Sequence, residues 1–225
     1  MPPLRSICLA IIWYVLGPVM LAPMGAYVLA RIRGGFQRPP WMHAFVALQM
    51  VDLAQGLVYA SMALRGIHNL WFRHFVLPLV FIGMMVVVHG IRRGSRRRTW
   101  FYVGMTGVGL VAAVASYFVD GLALRNAFFS TTGSIIYLIV SVAEMRHQLL
   151  SEDDRPIGAS PEFWLLAALL VYASGTLIFN ASSNYFLRSL PSHLILIPWV
   201  VVSAIHAAYH LLLAKVFLCP KPSSS

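Results

Sequence analysis

Three ionisable side chains, Asp52, His206 and His210, fall inside long apolar runs of this chain. A carboxylate or imidazole at membrane depth is costly unless it is paired or hydrated, so its presence there points to a site. His206-Ala-Ala-Tyr-His210 has the i, i+4 spacing that brings two imidazoles to one helix face, within reach of a single zinc ion. Asp52 lies ten residues into its run and His206 fourteen into its own. At about 1.5 Å rise per residue, the two come within about 5 Å of the same depth. Such a couple can act as a charge pair, a proton relay or part of a metal site. Gln49 and Ser203 lie about one turn from them and complete a candidate polar core of Asp52, Gln49, His206, His210 and Ser203.

A second set, Asn69, His74, Asn180 and Asn184, falls toward the opposite ends of its runs, with Arg65 and Arg188 at the rim. Together they would form a small pocket for a polar or anionic ligand. The alternative is structural: Asn69 caps a helix and His74 bonds a neighbour. The run Arg92-Arg93-Gly94-Ser95-Arg96-Arg97-Arg98 is a candidate contact for anionic lipid headgroups, or for a partner protein docking there and on Glu152-Asp153-Asp154.

The elements that must position these residues are membrane spans. Of the 225 residues, 59% are hydrophobic and 11% charged, against roughly 25% charged in a soluble domain. Lipid is the solvent such a surface fits. Seven apolar runs, at about 7–31, 42–64, 69–91, 100–120, 127–147, 162–187 and 192–217, predict an all-α, seven-helix transmembrane bundle forming one domain, 1–225. Ser160-Pro161-Glu162 reads as the start of the sixth helix. Pro18, Pro23, Pro78 and Pro198 predict kinks. Polar residues recur at steps of three and four: Gln49, Asp52, Gln55 and Tyr59 on the second run; Ser130, Ser134, Tyr137, Ser141 and Glu144 on the fifth; and Tyr172, Thr176, Asn180, Ser183 and Asn184 on the sixth. Each set shares one face, which predicts a polar interior or, more simply, helix-to-helix hydrogen bonds. Small residues at Gly104, Gly107, Gly109, Ala112, Ala113 and Ser116 predict a close-packing surface on the fourth helix.

The net charge of +10 suggests nucleic acid at first sight. The basic residues sit between apolar runs without aromatic interleaving, however, and this argues against nucleic acid and for a topology signal. Twelve of the 17 Lys and Arg residues fall in the first, third and fifth loops and the C-terminal end, and five on the other side. That bias predicts the N-terminus outside and the C-terminus cytoplasmic. Cys8 and Cys219 then fall on opposite sides, which excludes a disulfide between them, and Cys219 reads as an inert thiol. The first run extends too far for a cleaved leader and is closed by Arg31 and Arg33, so a retained helix is expected.

The seven-helix plan with His206 and His210 resembles part of the site of the alkaline ceramidase and adiponectin-receptor type of intramembrane hydrolases. In those families a His-x-x-x-His pair on the last helix and a third, early histidine hold zinc. The likeness covers those two histidines and Asp52; the second run lacks the Ser-x-x-x-His motif. A broader resemblance rests on Leu64-Arg65-Gly66-Ile67-His68-Asn69-Leu70-Trp71-Phe72-Arg73-His74 with Pro78, and on the sixth run from Phe163-Trp164 through Tyr172-Ala173-Ser174-Gly175 to Ser183-Asn184-Tyr185. These are similar to a family of bacterial seven-helix membrane proteins with no established activity, often encoded beside sensor histidine kinases. That resemblance implies membrane signalling in a bacterial cytoplasmic (inner) membrane. It also implies that a histidine metal site is not the common function, since the family favours asparagine at the matching positions.

Three readings follow: a signal-sensing or regulatory component whose partner is a separate protein such as a histidine kinase; a metal-dependent intramembrane hydrolase of a lipid amide or ester; and a small transporter or channel. The first is favoured, with no enzymatic activity and no cofactor expected. Zinc at His206 and His210 is the one cofactor the sequence leaves open.

Overall fold

An apolar chain at membrane depth has no water to bond its peptide groups, and helix satisfies them within the segment. The computed structural model describes residues 7, 10, 11, 14, 17–33, 39–67, 69–92, 94–150, 156–191, 194 and 196–219. Cys8, His68, Arg93 and Glu152-Asp153-Asp154 lie outside them. After a short turn of helix at Gly17–Val19, the described residues form α1 (Ala22–Ile32), α2 (Pro40–Leu64), α3 (Leu70–Gly90), α4 (Arg96–Val119), α5 (Ala127–Leu150), α6 (Pro161–Ser189) and α7 (Leu196–Leu218). There is no strand among the described residues. Six of these helices, α2 to α7, are long and apolar enough to cross a membrane, an architecture compatible with a multi-pass integral membrane protein. The stretch Gly17–Ile32 is apolar but shorter than a span; most of 7–16, where the expected first span begins, lies outside the described residues.

Local signals explain several boundaries. The Ser95 hydroxyl accepts the Arg98 backbone N–H at 3.4 Å and starts α4. Ser160 accepts the Phe163 N–H at 3.3 Å, with Pro161 at the first helical position, and starts α6. Gly66, at φ +68°, closes α2 in the left-handed conformation, and the Ile67 N–H returns to the Met62 carbonyl at 2.9 Å. Gly121, at φ +71°, plays the same part after α4. Of the prolines expected to kink spans, Pro18 and Pro23 flank the break at Met20 and Leu21 in the apolar stretch Gly17–Ile32, and Pro198 falls in the first turn of α7, where no intrahelical bond is lost. Pro78 lies inside α3.

The chain divides into two compact units. One comprises Arg38–Ile136 and Asn180–Tyr185. In it α3 packs against both α2 and α4. Phe81 of α3 meets the Phe129 ring at 5.7 Å and lies over Gly109, where a Cβ would overlap its ring. The small-residue stripe of α4 therefore divides: Gly109, Ala112, Ala113 and Ser116 are buried, whereas Gly104 and Gly107 are exposed with no neighbour where a Cβ would stand. The other unit comprises Met1–Gln37, Tyr137–Phe179 and Phe186–Ser225. Its α1 packs along α7, with Tyr27 edge-on to Phe217 at 5.7 Å, and Ile205 of α7 fills the space over Gly175 of α6.

Candidate functional site: a buried arginine clasp

A dense polar network lies in the unit that carries α2, α3 and α4. It is built on the seven-residue segment Asp120 to Asn126 that joins α4 to α5. Arg125 in this segment is 3% exposed. A buried guanidinium requires acceptors, and Asn180 on α6 supplies one. Arg125 Nη2 donates to Asn180 Oδ1 at 2.9 Å. Asn180, 2% exposed, donates through Nδ2 to the Ser134 hydroxyl at 3.0 Å and toward the Ser130 carbonyl at 3.5 Å.

Asn184 holds the same residue by its backbone. Its Oδ1 accepts the Arg125 N–H at 3.1 Å while its Nδ2 donates to the Arg125 carbonyl at 2.9 Å. One side-chain amide thus pairs with the peptide groups of a residue as a neighbouring strand would. Nδ2 also donates to Asp120 Oδ1 at 2.8 Å. The other carboxylate oxygen, Asp120 Oδ2, accepts from the Ser116 hydroxyl at 2.8 Å and from the Phe128 N–H at 2.9 Å. An acceptor carboxylate at the first turn of α5 satisfies one orphan donor there and favours the helix dipole.

Two further bonds tie the segment to the start of α3. His74 Nε2 lies 3.1 Å from the Leu124 carbonyl, and Asn126 Nδ2 donates to the Arg73 carbonyl at 3.3 Å. A carbonyl only accepts, so Nε2 carries the proton. His74 Nδ1 is buried with no hydrogen-bond partner among the described residues, and the ring rests 5.4 Å from that of Tyr117.

The expected outer-pocket residues therefore have distinct places. Asn180, Asn184 and His74 all bond the segment 120–126. Asn69 occupies the N-cap position of α3 without a side-chain capping bond; its Nδ2 donates instead to the Tyr59 carbonyl at 3.2 Å, joining α3 to α2. Arg65 is exposed just past α2, and Arg188 is exposed in the last turn of α6. Sequence reasoning missed Arg125 and Asp120 as members of this network. The available signal was a charged pair, Asp120 and Arg125, bracketing the short turn Gly121-Leu122-Ala123-Leu124, with asparagines one helical turn apart elsewhere.

Of the expected polar core, Gln49 and Asp52 belong to this same unit. Gln49 is buried, Asp52 is half-buried, and Gln55 Nε2 donates to Asp52 Oδ1. Ser203, His206 and His210 belong to the other unit, on α7. Ser203 is half-buried, His206 packs its ring 5.3 Å from that of Tyr172, and His210 is buried. Helical geometry puts the two histidines on one face, as their spacing requires. Among the described residues, no group of three or more His, Cys, Asp or Glu side chains is arranged to hold a metal ion.

The basic run also resolves into different roles. Arg98 is buried. Its Nη1 donates to the His89 carbonyl at 2.9 Å and to the Arg92 carbonyl, and its Nη2 donates to the Val88 carbonyl at 3.2 Å. It caps the C-terminus of α3, where carbonyls lack intrahelical donors and the dipole favours a cation. Its guanidinium also lies 4.9 Å from the Tyr102 ring. Arg92 is half-buried, Arg96 and Arg97 are exposed, and Arg93 lies outside the described residues. Cys219, at the end of α7, is buried; desolvation pushes its thiol up to about 11, opposed by the nearby Lys215 ammonium and reinforced by Glu162.

No protein-family model, curated protein or solved structure matches this chain.

Proposed function

We propose that this chain is a seven-span protein of a bacterial cytoplasmic membrane, with its N-terminus outside and its C-terminus inside, acting as a signal-sensing or regulatory component for a separate protein partner. The observation that carries the reading is the arginine clasp. A buried guanidinium that donates to the Asn180 amide, in a residue whose backbone Asn184 holds, is a ready-made receptor for a small carboxylate or phosphate, which would exchange for Asn180 Oδ1 as the acceptor. The same two asparagines fix the segment between α4 and α5. Ligand capture and release of that segment are thereby one event, and a ligand that favours the released form shifts the population toward it.

The test is thermal unfolding of the detergent-purified protein against a panel of small carboxylates and inorganic phosphate. A ligand at 100 times its Kd contributes about 2.7 kcal/mol, or roughly 5–10 °C in a chain of this size. The response should vanish in Arg125→Gln. Metal content is measured on the same material, with His206→Ala/His210→Ala alongside. No response to any anion, together with near one zinc per chain lost in the double variant, would replace the sensor reading with the hydrolase.

A further inference from the structure

The turn between α3 and α4 divides its arginines between two tasks. Arg98 folds inward onto the carbonyls of Val88, His89 and Arg92. Its charge is spent within the protein. Because Ser95 fixes the helix start, Arg96 and Arg97 become the first two residues of α4, and both are exposed. Among the described residues neither side chain has a hydrogen-bond partner. Trp100 follows Arg96 by four positions and Arg97 by three, so the indole shares their face of the helix. It is 63% exposed, and Phe101, four positions after Arg97, is 37% exposed.

This order of groups along a helix matches the layers of a bilayer interface. Indole rings concentrate at the boundary between headgroup and acyl chain. A guanidinium one turn further out, about 6 Å along the axis, stands at phosphate level. Its planar fork binds two phosphate oxygens at once. We propose that the Arg96–Arg97–Trp100 face of α4 binds the headgroup phosphate of an anionic lipid. The inference rests on the membrane-spanning reading above. It commits two arginines of the basic run to lipid and assigns Arg98 to the fold.

Alkaline carbonate extraction of native membranes comes first, because release of the chain into the supernatant would overturn the membrane reading itself. With the chain retained, native mass spectrometry of the purified full-length protein then compares phosphatidylglycerol with phosphatidylcholine of the same acyl chains. Phosphatidylglycerol should bind more tightly. Arg96→Gln/Arg97→Gln should weaken it about 30-fold, taking about 1 kcal/mol per arginine near the surface. The charge-matched control Arg65→Gln/Arg188→Gln should leave it unchanged, and Arg96→Lys/Arg97→Lys, which keeps the charge but loses the fork, should fall between the wild type and the double glutamine variant. If the double glutamine variant unfolds, Arg97→Gln alone serves, with an expected loss of about 5-fold. Equal occupancy by the two lipids overturns the proposal. So does an equal loss in the control, which would make the effect one of net charge, or displacement of the lipid by millimolar inorganic phosphate, which would make the ligand a soluble anion.

Discussion

Arg125 Nη2 and Asn180 Oδ1 meet at 2.9 Å across fifty-five positions of sequence, and both residues are almost wholly buried. Removing the acceptor leaves a desolvated cation short of one partner, a larger loss than the bond itself. Hydrogen bonds to charged groups contribute about 1.5–3 kcal/mol, against an average near 0.6 kcal/mol for neutral bonds between membrane helices. Asn180→Ala is expected to cost about 2 kcal/mol, read as a fall of roughly 4–8 °C in the unfolding midpoint. A change below the neutral-bond average would mean that the guanidinium finds water when Asn180 is gone.

Asn184→Asp is nearly isosteric and keeps the acceptor for the Arg125 N–H. It removes the amide donors to the Arg125 carbonyl and to Asp120 Oδ1, and it sets a second carboxylate against Asp120. The expected cost is at least about 2 kcal/mol at neutral pH. Asp120→Asn in the same chain should recover part of it, because the repulsion is gone. A double variant no more stable than Asn184→Asp would rule out repulsion as the cause.

Arg98→Ala and Arg97→Ala remove the same charge two residues and one residue after Arg96, yet only Arg98 donates to the end of α3. Arg98→Ala is expected to lower stability by about 1–3 kcal/mol, and Arg97→Ala to stay within about 0.5 kcal/mol. Equal effects in chemical unfolding would show the capping bonds to be dispensable.

Gly109→Ala pushes a methyl into the Phe81 ring and should cost about 1–3 kcal/mol, while Gly104→Ala and Gly107→Ala meet open space and should be neutral or better. Trimming the obstacle tests the cause: with Phe81→Leu in place, the penalty for Gly109→Ala should shrink.

Cys219 is expected to alkylate slowly. With the thiol raised to about 11, little thiolate exists at neutral pH. The rate in a Cys8→Ser chain should fall about 300-fold below that of a free thiol at pH 7.5, then climb with pH until about 11. A plateau near pH 8.5 would place the thiol in water.

The helical class was legible because it needs only long apolar runs, which nothing but helix or closed barrel can satisfy in lipid. Ser160-Pro161-Glu162 marked the start of α6 because capping is local chemistry. The clasp was harder to read. Asn180 and Asn184 stood out by their spacing, but Arg125 looked like one more loop charge, since its guanidinium and its backbone are held by partners 55 and 59 residues away. Pro198 misled for the opposite reason: a proline's effect turns on its register within a helix, and apolar patterning fixes ends only to a few residues.

The inward turn of Arg98 carries a consequence for biogenesis. Orientation is decided while the chain is still being threaded into the membrane, before α3 and α4 have met, and at that moment every arginine of the 92–98 run is an exposed charge. Once folded, Arg98 is a buried clamp. On the proposed topology, one side chain therefore works at two successive times, first as a retention signal and later as a fastening. On that topology a substitution there would damage the molecule twice, and a surplus of positive charge elsewhere in the loop would repair only the earlier fault.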